Sequence, residues 1–112
     1  MDLDQRRKEY QTSLESSLEK IIIQLREIPE ILQVISFGSY AKGRRDLFTD
    51  LDLIIIMETE KEFLQRTADL YQFLQSDVDM DLLVYTPDEF QEMQKGGFLR
   101  YALANGQVIY EK

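Results

Sequence analysis

The 112-residue sequence contains neither cysteine nor histidine. These two absences exclude zinc fingers, thiol nucleophiles and histidine-based acid–base catalysis, together with the usual sites for soft metals. Any metal ion bound by this chain would need oxygen ligands, which suit Mg²⁺ or Mn²⁺.

Basic residues are scarce, with 13 Lys and Arg against 21 Asp and Glu and a net charge of -8. Proteins that coat DNA or RNA need clustered basic side chains, so extensive nucleic-acid binding by this chain alone is not expected. One local basic cluster, at Lys42, Arg44 and Arg45, interrupts the acidic background. Its side chains could neutralise a bound triphosphate, and an exposed basic loop is the alternative for each of them.

Long apolar runs are also missing. None approaches the ~20 residues that span a membrane, and the first residues lack the apolar core of a signal peptide. No internal repeat, low-complexity tract or linker divides the sequence. A chain of 112 residues suits one domain rather than two. We therefore expect a single cytoplasmic domain over residues 1–112 that contacts no membrane.

The apolar residues that are present alternate between helical and strand spacing. They recur at steps of three and four over residues 4–28 and again over 59–75, which predicts two amphipathic helices. Apolar runs over residues 32–37, 51–57 and 78–85 predict three strands. The run at 51–57 is apolar enough to be central in a sheet.

The remaining segments complete an α/β (α+β) pattern. Residues 39–49 suggest a short helix and a polar loop, and Thr86-Pro87-Asp88-Glu89 predicts a helix start with a capping box. A last helix over 98–104 would end at Asn105-Gly106, and residues 107–110 could form an edge strand. We expect a small mixed sheet of three to four strands flanked by helices.

Gly38-Ser39 is the first pair with chemical potential, since it lies between a predicted strand and a predicted helix. Glycine allows the backbone to come close to a ligand, and the N–H groups at a helix start favour phosphate. The Ser39 hydroxyl could donate to a phosphate oxygen. Taken alone, the pair is more often an ordinary turn.

Two carboxylate pairs mark the starts of the second and third strands. Asp50 and Asp52 share one strand face because side chains alternate, and Asp79 and Asp81 repeat the arrangement. Neighbouring carboxylates repel unless a cation lies between them, so the pattern predicts a divalent-metal site, with a solvated strand start as the alternative. Metal ions held there can activate an attacking hydroxyl, for which Asp81 is a candidate general base.

In combination these motifs resemble a known family. Gly38-Ser39-Tyr40-Ala41-Lys42-Gly43 followed by Thr49-Asp50-Leu51-Asp52-Leu53 resembles the hallmark of the DNA polymerase β superfamily of nucleotidyltransferases. The short chain and the segment Asp81-Leu82-Leu83-Val84-Tyr85-Thr86-Pro87 resemble its minimal nucleotidyltransferase branch. The likeness spans roughly residues 20–110. One departure is Thr49, where the family more often has serine, and the hydroxyl is kept.

The resemblance implies a polymerase β-like fold in which Gly38 and Ser39 hold the triphosphate. It implies that Asp50, Asp52 and Asp81 bind the metal ions. Asp81 matches the third carboxylate of the family better than Asp79 does. Members of this branch often pair with a helical HEPN-type protein in toxin–antitoxin systems, and some transfer AMP to a protein hydroxyl. The implied reaction moves AMP from ATP to a hydroxyl and releases pyrophosphate.

Three functions remain open from the sequence. The first is this enzyme, with a tyrosine of a HEPN-type partner as a possible acceptor, and the carboxylates favour it because a scaffold gains nothing from mutually repelling side chains. The second is a non-catalytic nucleotide-binding antitoxin or scaffold, and the third is an acidic adaptor. The apolar C-terminal segment from Phe98 to Tyr110 predicts a surface for a helical partner or a second copy, unless it packs wholly into the core.

Overall fold

The computed structural model describes residues 2–112, so Met1 lies outside the described part of the predicted domain. Five helices and four strands follow one another along these residues. They are α1 (Leu3–Arg26), β1 (Ile31–Phe37), α2 (Gly38–Ala41), β2 (Leu51–Met57), α3 (Phe63–Phe73), β3 (Met80–Tyr85), α4 (Pro87–Met93), α5 (Gly97–Ala104) and β4 (Gln107–Glu111).

The strands form one mixed four-stranded sheet in the order β3-β2-β1-β4. Strand β1 pairs antiparallel with both β2 and β4, whereas β2 and β3 run parallel. A parallel pair needs a crossover, and α3 provides it. The mixed sheet, the central position of β2 and the edge position of the last strand all agree with the sequence-based prediction.

Each face of the sheet has its own apolar core, because side chains alternate along the strands. Leu53 and Ile55 of β2 belong to the larger core, which includes α1 and α3 residues. Ile54 and Ile56 belong to the smaller core, which α5 covers through Leu99. By the same alternation, Asp52 lies on the face that α5 covers.

Helix α1 ends at Arg26, two residues before the predicted end, and β3 begins at Met80 rather than at residue 78. The first part of α1 is exposed, so this helix extends beyond the sheet. Among residues 2–112, no helix is long and apolar enough to cross a membrane.

Helix α3 departs most from expectation, since it begins at Phe63 instead of residue 59. Of the apolar residues that predicted it, Leu70 and the following Leu74 are buried, whereas Leu64 is 79% exposed. The apolar stripe is therefore narrower than its spacing suggested, and Arg66 takes an inward position. Phe63, Leu64 and Phe73, which also contributed to the predicted helical pattern, are exposed.

Arg66 is buried to 5% exposure and joins α3 to α4. Its guanidinium binds both carboxylate oxygens of Glu89, and it also donates to the carbonyl oxygens of Lys61 and Val84. Glu89 additionally accepts from the backbone N–H of Thr86 in the predicted capping box. The hydrogen bond from Arg66 lowers the pKa of Glu89 to about 2, so this carboxylate stays charged well into the acid range.

We expect Glu89→Gln to lower the free energy of unfolding by about 1–2 kcal/mol at pH 7, after allowing for solvent around this partly exposed carboxylate. A carboxyl whose pKa is depressed by folding stabilises the fold above its unfolded pKa, and that stability is lost as the pH falls towards 2. The difference from wild type should therefore shrink in urea titrations at pH 3. Glu92→Gln, which affects only an exposed pair with Lys95, is the matched control and should change little. Equal effects of the two variants would contradict a structural role for the Arg66 pair.

Candidate nucleotide site

The turn between β1 and α2 is built around Gly38. Its φ of 74° is a left-handed conformation that favours glycine. A Cβ atom at this position would also collide with carboxylate oxygen Oδ2 of Asp52. The turn that carries Ser39 therefore packs directly onto the carboxylate of Asp52.

Gly38→Ala should disturb this contact far more than Gly43→Ala. Both glycines have positive φ, but a Cβ at Gly43 would meet no atom within 4 Å. We expect Gly43→Ala to cost about 1 kcal/mol of stability from backbone strain alone. Gly38→Ala should cost more and should abolish the stabilisation by Mg²⁺ plus ATP in thermal denaturation. If the two variants bind nucleotide equally, the packing of Gly38 on Asp52 has no role in the site.

Asp52 and Asp81 are direct neighbours in the parallel register of β2 and β3. The pKa of Asp52 is raised to about 6, chiefly by burial of the carboxyl, with contributions from the hydrogen bond with Asp81 and from the charges of Asp81 and Asp50. The two side chains thus form a contact pair that holds excess negative charge. A bound cation or a proton would relieve the repulsion between these carboxylates.

Asp50 and Asp79 lie close enough to Tyr10 of α1 for their charges to act on it. The Tyr10 hydroxyl of α1 donates to the carbonyl oxygen of Thr49 at 2.8 Å. Burial raises the pKa of Tyr10, and the negative charges of Asp50 and Asp79 add to the effect. Tyr10 was not predicted as a site residue, although it continues the apolar stripe of α1 one turn before Leu14.

Asp79 does not reach β3, which begins at the next residue. Its backbone carbonyl accepts from the N–H of Leu51. Asp81 is the carboxylate that stands beside Asp52 in the sheet. The geometry therefore distinguishes two residues that alternation alone placed together.

The oxygen donors of this cluster fit a hard divalent cation. Asp52 and Asp81 are in contact, and Asp50 is close enough to act on the Asp52 charge. Within residues 2–112, however, no three acidic side chains converge on a single point. Mg²⁺ commonly uses one or two carboxylates together with substrate phosphates, so this donor set is compatible with a metal that is shared with a triphosphate.

Two members of the predicted basic cluster are engaged within their own loop. Arg44 pairs with Asp46 at 2.6 Å. The guanidinium of Arg45 lies 3.6 Å from the centre of the Tyr40 ring and donates to the carbonyl oxygen of Tyr40. Both arginines thus stabilise the conformation of the loop between α2 and β2. Their assignment to phosphate binding stays a prediction.

Lys42 points instead towards α5. Its Nζ donates to the Tyr101 hydroxyl at 2.7 Å. The neighbouring Phe98 packs edge-to-face on Phe37, the residue before the glycine turn, with ring centres 6.2 Å apart. These α5 residues border the site, which the sequence could not show because they lie about 60 positions away along the chain. Their exposure also leaves part of the apolar C-terminal segment on the surface.

The packing of the Gly38 turn on the Asp52–Asp81 pair is the arrangement expected of a nucleotidyltransferase. Residues 19–112 match the family model described as Polymerase beta, Nucleotidyltransferase. Because this match covers most of the chain, the protein belongs to the polymerase β nucleotidyltransferase family. Among curated proteins, none matches the chain in sequence.

Several solved structures share the fold. A candidate nucleotidyltransferase from Sulfolobus solfataricus gives a TM-score of 0.67 at 16% identity, over 95% of this chain and 87% of the other. A toxin–antitoxin structure with AMP-PNP gives 0.54 at 20% identity, over 84% and 73%. A complex of tri-AMPylated Shewanella oneidensis HEPN toxin with MNT antitoxin gives 0.51 at 19% identity, over 88% and 73%. At such identities the likeness shows the fold, and the predicted polymerase β-like architecture is confirmed.

Proposed function

We propose that this nucleotidyltransferase moves AMP from ATP to a hydroxyl group and releases pyrophosphate. The observation that carries the proposal is the junction at which the Gly38 turn packs on Asp52 while Asp52 contacts Asp81. A phosphate-binding turn and a carboxylate pair are the two parts that such a transfer needs. Packing them against each other would bring a bound triphosphate and the charged groups into one site.

Each residue has a part in this reaction. The backbone N–H groups after Gly38 and the Ser39 hydroxyl hold the triphosphate, with Lys42 neutralising part of its charge. Asp50, Asp52 and Asp81 would hold a divalent cation such as Mg²⁺, which neutralises triphosphate charge and favours ionisation of the attacking hydroxyl.

The transfer itself exchanges one bond for another. The acceptor oxygen forms a bond to the α-phosphorus, the bond to the bridging oxygen of the β-phosphate breaks, and pyrophosphate leaves. We assign the acceptor proton to Asp81, because this carboxylate lies beside Asp52 in the parallel register of β2 and β3.

We further propose that the acceptor is a tyrosine on a helical HEPN-type partner, in a toxin–antitoxin pair of the minimal branch. Support comes from fold relatives that are toxin–antitoxin complexes, one of which contains an AMPylated HEPN toxin. The exposed apolar residues Phe98 and Val108 offer contact area for such a partner. Association with a second copy of the chain is the alternative, and sedimentation of the pure protein distinguishes the two.

Thermal denaturation tests nucleotide binding directly. Mg²⁺ plus ATP should raise the melting temperature, because a ligand at about 100 times its dissociation constant adds about 2.7 kcal/mol of stability. A release assay for pyrophosphate, with and without the HEPN-type protein, then tests transfer. If none of the four nucleoside triphosphates shifts the transition with Mg²⁺ or Mn²⁺, the site does not bind nucleotide. Binding without pyrophosphate release would instead favour the non-catalytic antitoxin.

A further inference from the structure

A hydrogen bond connects the loop after the glycine turn to α5. The Nζ atom of Lys42 donates to the Tyr101 hydroxyl at 2.7 Å and lies 4.7 Å from the centre of its ring. Tyr101 itself is 63% exposed, so its hydroxyl is accessible as well as held in place. The residue proposed to neutralise the triphosphate therefore touches a potential acceptor of the same chain.

The packing of α5 directs this tyrosine to the side of the sheet that bears the carboxylates. Leu99 and Ala102 of α5 are buried against Ile54, which alternation places on the same face as Asp52. Phe98, three residues before Tyr101 in α5, contacts Phe37, which directly precedes the glycine turn. Two independent contacts thus fix α5 along the edge of the proposed nucleotide site.

The chemistry of Tyr101 also differs from that of other tyrosines. The hydrogen bond from the Lys42 ammonium lowers the pKa of the Tyr101 phenol. Burial raises the pKa of Tyr10 and Tyr85 instead. The Tyr71 hydroxyl is occupied between the Met80 carbonyl and the Leu82 N–H.

We propose that Tyr101 is a self-modification site, which accepts AMP from an ATP molecule bound at Gly38 and Ser39 of the same chain. The inference rests on the proposed function. The phenolic oxygen of Tyr101 forms a bond to the α-phosphorus, and the bond between this phosphorus and the leaving pyrophosphate breaks. The phenolic proton passes to Asp81, the proton acceptor of the proposed transfer, and from this exposed carboxylate to solvent. The products are a tyrosyl phosphodiester, pyrophosphate and a proton.

Peptide mapping by mass spectrometry tests the assignment. The purified full chain is incubated with Mg²⁺ and ATP, and we expect one added adenylyl group on the peptide that contains Tyr101. Tyr101→Phe and Asp52→Asn should each remove this signal. Tyr71→Phe is the matched control and should keep it. The first-order rate constant of labelling should not change when the protein is diluted, because donor and acceptor belong to one chain.

The outcomes separate this inference from the proposed function. An unmodified Tyr101 in a protein that still releases pyrophosphate, or still labels a HEPN-type partner, would overturn the inference and leave the function standing. Label on a different tyrosine, or a rate constant that falls on dilution, would overturn it as well. Absence of both nucleotide binding and any transfer would overturn the function together with the inference.

Discussion

Asp52→Asn is expected to abolish nucleotide transfer while making the ligand-free protein more stable. Loss of one carboxylate oxygen ligand and its charge should lower the rate on the order of 10³-fold or below detection. Folding raises the pKa of Asp52 to about 6, so its ionised form opposes folding. Removing this charge should add about 1 kcal/mol at neutral pH, a value reduced for the solvent around a partly buried group.

The gain in stability should depend on pH in a defined direction. The folded protein binds the Asp52 proton more tightly than the unfolded chain does, so wild-type stability falls as the pH rises from about 4 to about 6. The advantage of Asp52→Asn should therefore be full above pH 6 and should vanish near pH 4 in urea titrations. Asp4→Asn, at an exposed position of α1, is the control and should show no such trend. If Asp52→Asn instead destabilises the protein throughout, this carboxylate is structural.

The sheet could be predicted well because its signals are local. The apolar run of β2 gave the same bounds, residues 51–57, in sequence and structure, since a central strand is buried on both faces. The predicted start of α3 was wrong because helical spacing does not reveal which apolar residues face inward. Arg66 escaped notice for a related reason: its burial depends on Glu89, which lies 23 residues further along the chain.

The site was predictable only in part, and the division follows distance along the chain. Asp50 and Asp52 are two residues apart, so strand alternation predicted one face for both, although Asp50 itself precedes β2. The contacts of Lys42 with Tyr101 and of Tyr10 with Thr49 join residues 59 and 39 positions apart. Such contacts depend on how α5 and α1 pack against the sheet, which no local pattern encodes.

Asp81→Ala should impair transfer as severely as Asp52→Ala, whereas Asp79→Ala should lower the rate only a few-fold. Asp81 stands opposite Asp52 in the parallel register, and the two carboxyl groups are in contact. Asp79 precedes β3 and lies on the α1 side of the site, where its negative charge contributes to the raised pKa of Tyr10. Steady-state rates of pyrophosphate release from the three variants, at saturating ATP and Mg²⁺, measure the difference. A severe defect in Asp79→Ala together with an active Asp81→Ala would assign the third carboxylate to Asp79 and would contradict the Asp52–Asp81 pair as the centre of the site.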